Sequence, residues 1–286
     1  MGPTLEAAAN PADGEASQRE PVLGAHGITI GFGGVLALDD VSMSAGPGEV
    51  VGVIGPNGAG KTTLFNVICG FVHPSAGHLT YRGRELHGHH PHDLAKLNIA
   101  RTLQGVGLCA GLTVRENVML GAEPALRSDL ASSFLGIRRS SGEEHRTSDR
   151  AMEILDGLGI AAHANRLPPA LPYAVQKQAA LARALMAEPE LLLLDEPASG
   201  LSESEMSSLG SRIRGLTTTT MSVLLVEHHM DLVMSVCDRI VVLNFGRVIA
   251  QGTPEAIRAN PDVATAYLGE VVAEEGPQHQ GGAHDA

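Results

Sequence analysis

The chain has 286 residues, a net charge of −12 and 43% hydrophobic residues, with only 3% aromatic residues and no tryptophan. This length suits one large domain or two modest ones, and the negative charge argues against nucleic-acid binding and against unaided docking on an anionic membrane. The three cysteines are widely spaced and form no CxxC pair, which argues against a disulfide framework or a zinc site and fits a reducing cytoplasm.

The first part of the chain predicts a leader and then a series of strands. Residues 1–23 are rich in Ala, Pro, Glu and Gly and contain no apolar signal segment, so we expect them to be disordered. Residues 26–44 predict short antiparallel strands, and the wholly apolar residues 50–54 predict a buried strand. A glycine-rich loop follows, then a helix over about 60–69 and another strand and turn over 78–87. No apolar run approaches the ~18 residues that a membrane-spanning helix requires.

The middle of the chain has a mostly helical pattern from about residue 91 to residue 166. Such a stretch is too long for a simple crossover between two strands of one sheet. We therefore expect an inserted helical subdomain that spans about residues 91–187 and includes an alanine- and leucine-rich helix over 175–187.

The last part alternates strands and helices. Residues 191–194 and 222–226 predict two further buried strands, residues 229–237 a helix, and residues 239–251 a terminal hairpin. Buried strands that alternate with helices are typical of a mostly parallel α/β sheet. The predicted fold is therefore an α/β domain with a mostly parallel sheet core, an antiparallel β subdomain and the helical insertion. We expect this domain to span residues 24–272 and to be followed by a disordered tail over 273–286.

A phosphate-binding pattern, G-x-x-x-x-G-K-[ST], lies between the strand at 50–54 and the next helix. Its glycines let successive backbone N–H groups point at phosphate oxygens, and the helix N-terminus adds partial positive charge. We expect Lys61 to reach the β- and γ-phosphates and the Thr62 hydroxyl to bind Mg²⁺. The expected nucleotide-binding residues of the loop are Gly55, Pro56, Asn57, Gly58, Ala59, Gly60, Lys61, Thr62 and Thr63.

Two acids, Asp195 and Glu196, follow the strand at 191–194. Ligands bind at the carboxyl ends of strands in parallel sheets, so we expect both acids to lie at the nucleotide. Asp195 is expected to hold Mg²⁺, and Glu196 to accept the proton of the attacking water.

These two sites predict an α/β P-loop NTPase, and the order of the motifs resembles that of ABC transporter ATPases over about residues 24–270. The matching segments are ARTLQ (100–104) at the Q-loop, LPYAVQKQAALARAL (171–185) at the signature motif and its helix, LLLLDEP (191–197) at the strand with the catalytic acid, ASGL (198–201) at the D-loop, and Glu227-His228 at the switch histidine. Within this family the chain most resembles the ATPase subunits of branched-chain amino acid importers. That likeness rests on KTTLFNVICGF (61–71), IARTLQ (99–104), LTVRENV (112–118), HANR (163–166) and residues 227–270.

The resemblance implies ATP and Mg²⁺ as cofactors and assigns further roles. Phe32 would stack on the adenine, Gln104 would sense the γ-phosphate and Mg²⁺, and His228 would position the water. The implied catalytic residues are then Lys61, Gln104, Glu196 and His228, and the implied metal ligands are Thr62, Gln104 and Asp195. The implied partners are transmembrane permease subunits and a second ABC ATPase, with no nucleic acid. The chain would then lie peripherally at the cytoplasmic face of the inner membrane and contact the membrane only through the permease.

The signature segment departs from the family pattern Leu-Ser-x-Gly-Gln, since this chain has Leu171-Pro172-Tyr173-Ala174-Val175. In the family two chains close face to face, and each signature caps the ATP that the other chain binds. Pro172 has neither a hydroxyl nor an N–H, Ala174 adds a methyl group, and Val175 lacks an amide. Because proline is tolerated in the first turn of a helix, the loss is chemical and falls on the partner's ATP. We therefore expect an asymmetric heterodimer with a second ABC ATPase.

Three alternatives stay open from the sequence. The altered signature favours a subunit that binds ATP but hydrolyses little of it on its own, although Glu196 and His228 oppose this. A soluble ABC protein that acts on nucleic acid or the ribosome would usually carry two ATPase units or long inserted arms. A small-molecule kinase would have no place for the Q-loop, the D-loop and the switch histidine.

Overall fold

The computed structural model describes residues 20–102, 105–122, 141–217 and 221–274. The first elements are strands β1 (Leu23–Phe32), β2 (Val35–Ala45) and β3 (Val50–Ile54), helix α1 (Lys61–Ile68), and strands β4 (Ala76–Tyr81), β5 (Arg84–Leu86) and β6 (Ile99–Arg101). The next are helices α2 (Val114–Met119), α3 (Ser141–Gly157) and α4 (Tyr173–Leu185), strand β7 (Leu191–Asp195), helix α5 (Glu203–Leu216) and strand β8 (Ser222–Val226). The last are helix α6 (Met230–Val236), strands β9 (Arg239–Asn244) and β10 (Arg247–Gly252), and helices α7 (Pro254–Arg258) and α8 (Pro261–Glu274). None of the described helices combines the length and the hydrophobicity needed to cross a bilayer.

The strands form two sheets. The larger sheet has the order β10-β9-β3-β8-β7-β6, and its strands are parallel except for β10, which pairs antiparallel with β9. The smaller sheet is antiparallel in the order β2-β1-β4-β5. This arrangement confirms the predicted α/β fold with a mostly parallel core and an antiparallel β subdomain.

Both faces of the large sheet are covered. Along β7, Leu191 and Leu193 join a core with α1 and the small sheet, whereas Leu192 and Leu194 join a core with α2, α3 and α4. Alternate side chains of a strand point to opposite faces, so a strand between two apolar layers must be apolar throughout. This is why β3 and β8, with all five residues buried, could be predicted at their observed bounds.

The prediction that residues 91–166 are mostly helical is wrong at Ile99–Arg101. These residues form β6, which pairs parallel with β7 from Ile99 opposite Leu191 to Arg101 opposite Leu193. An edge strand of three residues is too short to show a period of two, and its pairing is supplied by a segment about 90 residues away in the chain. The extent of a separate helical subdomain stays a prediction, but its start must lie after β6.

The predicted termini also need correction where they are described. Val22 and Leu23 are buried and β1 begins at Leu23, so the ordered domain starts before residue 24. Helix α8 runs to Glu274 and takes in the first two residues of the predicted tail. Residues 1–19 and 275–286 of the two predicted segments lie outside the described residues.

The three cysteines have different surroundings. Cys69 and Cys237 are buried, and burial raises the pKa of Cys69 to about 11 and that of Cys237 to about 12. Cys109 is exposed, but its backbone is held by the buried Asn117. The Asn117 side chain accepts a hydrogen bond from the Cys109 N–H at 2.7 Å and donates one to the Cys109 carbonyl at 3.0 Å.

Candidate functional site

The register of the large sheet brings three loops to one edge. Val53 of β3 lies opposite Val226 of β8, and Val226 lies opposite Asp195 of β7. Because these strands are parallel, the loops that follow them leave the sheet at the same edge. These loops carry residues 55–63 of the predicted phosphate-binding loop, Glu196 and His228, so the sheet brings these predicted site residues to one edge.

The phosphate-binding loop needs glycine at both ends. Gly55 and Gly60 have φ of 153° and 105°, which few other residues adopt. A Cβ on Gly55 would overlap the Leu243 carbonyl oxygen, and one on Gly60 would lie 2.7 Å from the Ala37 carbonyl oxygen. No side chain caps the N-terminus of α1, and its first turn has no acidic residue. The loop therefore presents the positive end of a helix, as an anion site requires.

Lys61 begins α1 and is buried, with 7% of its surface exposed. Its ammonium group donates hydrogen bonds to the carbonyl oxygens of Gly55 at 2.6 Å and Pro56 at 2.9 Å. These bonds compensate the buried charge and hold it inside the loop, where it can neutralise phosphate. Thr62 follows in the first turn and is exposed.

The half-buried Asp195 ends β7 beside a second acid. Burial, and next the neighbouring Glu196, raise the pKa of Asp195, whereas Arg101 lowers it. A cation at this edge of the sheet would lower the free-energy cost of keeping the Asp195 carboxylate charged. The Asp195 carboxylate and the Thr62 hydroxyl are oxygen donors of the kind that Mg²⁺ prefers, so the donor set fits that ion.

Glu196 has an unusual backbone conformation. Its φ is +45°, in the left-handed region, which costs a non-glycine residue about 1–3 kcal/mol and is concentrated at functional sites. The Glu196 N–H donates to the Val226 carbonyl at 2.9 Å. Its carboxylate Oε1 lies 3.9 Å from Nδ1 of the exposed His228. The structure thus brings together the acid and the histidine that were predicted from separate segments.

Glu227 is a member of the site that the sequence analysis did not single out. It is fully buried, and its carboxylate accepts hydrogen bonds from the N–H groups of Ala198 at 2.8 Å and His228 at 2.8 Å. It also accepts from the His229 N–H at 3.1 Å and lies 2.9 Å from His229 Nδ1. Burial alone would raise the pKa of Glu227, but these hydrogen bonds outweigh it and lower the pKa below 4.5. The carboxylate thereby connects Ala198 with His228 and His229 at the end of β8.

We expect Glu227→Gln to destabilise the fold at neutral pH by about 1–3 kcal/mol. The amide nitrogen of glutamine cannot accept a hydrogen bond, so it would leave backbone N–H groups unpaired where a carboxylate oxygen now accepts from them. A lowered pKa contributes stability above the unfolded value of 4.5, and that stability is lost as the pH falls through the folded pKa. The difference in the free energy of unfolding between the variant and the wild type, measured by urea unfolding, should therefore become smaller below about pH 4.5. The exposed Glu203→Gln serves as the control, and a difference that does not depend on pH would contradict the role of the Glu227 charge.

The signature segment leads into α4. Pro172 is the N-cap of this helix with φ −53°, and no side chain caps it. Helix α4 starts at Tyr173, directly after this proline, so the chain accommodates Pro172 at the start of the helix. Tyr173 packs over the D-loop, since a Cβ on Gly200 would lie 3.1 Å from its ring.

Phe32 and Gln104 are the remaining predicted site residues. Phe32 ends β1, is 52% exposed and lies at the turn into β2. Strand β2 contacts the phosphate loop at Ala37 and Gly60, so the turn lies on the side of that loop. Gln104 falls outside the described residues. Thr102, two residues before it, donates its N–H to the Leu193 carbonyl at 3.0 Å, so this segment leaves the sheet beside β7.

Comparisons with known proteins agree on one family. The sequence profile described as "ABC transporter" matches residues 38–199, and the profile "Branched-chain amino acid ATP-binding cassette transporter" matches residues 247–273. The high-affinity branched-chain amino acid transport ATP-binding protein LivG of Salmonella typhimurium is 42% identical over 252 residues, which cover 88% of this chain and 99% of LivG. The corresponding protein BraF of Pseudomonas aeruginosa is 39% identical, covering 87% of this chain and 98% of BraF. The crystal structure of the ADP conformation of an ABC transporter cassette superposes with a TM-score of 0.76 at 29% identity, covering 88% of this chain and all of that one.

Proposed function

The chain belongs to the ABC transporter family of ATP-binding proteins, which hydrolyse ATP to power transport, and we propose that it drives an importer of branched-chain or related amino acids. The observation that carries the substrate class is the match at the C-terminus, where residues 247–273 fit a profile specific to branched-chain amino acid cassettes. The relatives named for that transport align over nearly their whole length. The comparisons give no support to the alternative of a subunit that hydrolyses little ATP within the transporter.

The proposed chemistry follows from the contacts at the sheet edge. Lys61, held in its loop, binds the β- and γ-phosphates. Thr62 and Asp195 would hold Mg²⁺, with Gln104 as the further ligand implied by the family. The Mg²⁺ ion, when bound, neutralises charge on the phosphates. Glu196 accepts a proton from the attacking water, which His228 positions. Phe32 stacks on the adenine, and the loop binds phosphate through Gly55, Pro56, Asn57, Gly58, Ala59, Gly60 and Thr63.

The proposed assembly adds chains that span the membrane. In this assembly the substrate path lies on the permease subunits that the family resemblance implies. The chain then lies at the cytoplasmic face of the inner membrane and contacts it only through the permease. Its signature segment, Leu171 to Val175, lacks groups that would cap a partner's ATP. A second ABC ATPase with an intact signature supplies that cap at this chain's own nucleotide, which gives a heterodimer with one competent site.

The proposal is tested by uptake of labelled leucine, isoleucine and valine into cells that lack the gene for this chain and carry it on a plasmid. The wild-type chain should restore uptake, and Lys61→Ala should not. Binding of Mg-ATP to the purified variant should fall roughly 10- to 150-fold, since the lost lysine makes charge-assisted hydrogen bonds to phosphate. The control is Lys96→Met, which removes an exposed lysine that pairs with Asp93.

Two outcomes would count against the proposal in different ways. Equal ATP affinity in wild type and Lys61→Ala would remove the assignment of the nucleotide site. Restored uptake of a different class of solute, with branched-chain amino acids unaffected, would keep the ATPase and overturn the substrate class.

A further inference from the structure

Lys177 is a basic residue of α4 whose role none of the motifs explains. It lies two residues beyond the signature segment, on the side of the helix that faces the residues after β7. Its ammonium group donates hydrogen bonds to the carbonyl oxygens of Glu196 at 3.1 Å and Pro197 at 2.9 Å. The same ammonium lies 5.4 Å from the centre of the Tyr173 ring. One side chain thus connects helix α4 with Glu196 and Pro197, the two residues that follow strand β7.

The backbone that Lys177 contacts needs such support. Glu196 combines a φ of +45° with a following proline, and both features restrict the conformations available to it. A strained conformation of this kind persists only when surrounding contacts impose it. On one side the Glu196 N–H is bonded to Val226, and on the other the Glu196 carbonyl accepts from Lys177 and from the Ser199 N–H at 3.2 Å.

The direction of the Glu196 carboxylate depends on this backbone. With the peptide fixed at both ends, the carboxylate is held 3.9 Å from His228. If the carbonyl oxygens of Glu196 and Pro197 were released, the residue could relax toward an ordinary φ and turn its side chain away. Burial lowers the pKa of Lys177 below its ordinary value, and the nearby carboxylates of Glu227 and Glu196 offset only part of that lowering.

We infer that Lys177 is a positioning residue of the hydrolysis step, which holds the strained Glu196-Pro197 backbone so that the Glu196 carboxylate faces the water. Lys177 does not touch the nucleotide in this role, and it acts only through Glu196. The inference rests on the proposed role of Glu196 as the general base.

The test is Lys177→Met, which keeps the length of the side chain and removes its donors. In the full chain within its ATP-hydrolysing assembly, kcat should fall roughly 10- to 100-fold because the base is misplaced, while KM for ATP stays unchanged. Lys177→Arg retains donors for both carbonyl groups and should stay closer to the wild type. Lys96→Met, the same substitution at an exposed site, is the matched control.

A double-mutant cycle separates positioning from a merely structural role. In the Glu196→Gln background, Lys177→Met should have no further effect on the residual turnover, because the group that Lys177 positions is already lost. An equal loss in both backgrounds, or a rise in KM without a fall in kcat, would overturn the inference.

The proposed role of Glu196 fails separately, if Glu196→Gln alone keeps its turnover. If Glu196→Gln loses turnover while Lys177→Met does not, only the inference about Lys177 fails. Thermal unfolding shows whether Lys177→Met is folded. If it is not, Lys177→Gln replaces it, since its shorter amide cannot reach both carbonyl oxygens, and the same cycle applies.

Discussion

Glu196→Gln is expected to lower the ATP turnover of the assembled complex by about 10²- to 10⁴-fold and to leave ATP binding intact. The substitution keeps the shape of the side chain but removes the only function that the proposed mechanism asks of it, which is to accept a proton. The surroundings of the residue should be retained, because the contacts that fix it are made by its backbone N–H and carbonyl groups. Turnover is measured as phosphate release at saturating ATP, and binding is measured separately at equilibrium.

The matched control for this prediction is Glu153→Gln, which changes an exposed acid of α3 in the same chemical way. It should leave turnover at the wild-type level. If Glu196→Gln itself keeps near wild-type turnover in the complex, Glu196 is not the general base and the roles proposed for the end of β7 must be reassigned.

The second large effect is expected from repair of the signature. The triple change Pro172→Ser, Ala174→Gly and Val175→Gln should raise ATP turnover of the isolated chain by roughly 100- to 1000-fold at concentrations where it self-associates. Loss of a single donor to a developing phosphoryl charge typically costs a factor of this size, and a homodimer of the natural chain lacks the donor at both sites. Helix α4 already starts at Tyr173, so the repaired residues would enter an existing helix terminus.

The source of any gained activity can be identified. Adding Lys61→Ala to the repaired chain should abolish it, because both nucleotides of a homodimer are bound by that lysine. Sedimentation shows whether the natural and repaired chains associate to the same extent. Rapid ATP hydrolysis by the isolated natural chain would show that the altered signature does not slow hydrolysis. A partner ATPase would then not be required for activity.

The elements that could be predicted from the sequence are those whose pattern is fixed by local rules. Strands β3 and β8 lie between two apolar layers and are therefore apolar throughout, and the glycines of the phosphate loop follow from its backbone. Strand β6 was missed because its pairing partner lies in another part of the chain. Helix α5 is absent from the predicted elements, although its capping box of Ser202 and Glu205 is a local signal for the start of a helix.

The same distinction applies to the site. Lys61, Asp195, Glu196 and His228 follow strands in a recognisable order, so the sheet alone accounts for their convergence. The functions of Glu227 and Lys177 depend on contacts that the sequence does not show. The position of Glu227 directly after the apolar segment 222–226 is a weak indication that this acid is buried. The hydrogen bond that Glu227 accepts from the Ala198 N–H depends on the fold.

The contrast among the three thiols makes this chain convenient for spectroscopy. With Cys69 and Cys237 shielded from solvent and hard to ionise, a maleimide dye should attach at a single position without any prior mutagenesis. The hydrogen bonds between the Asn117 side chain and the Cys109 backbone hold the attachment point in place. A fluorophore there would sit between β6 and α2, at the junction of the sheet with the helices that follow it. Its emission would then record how that junction responds during turnover in the unaltered protein.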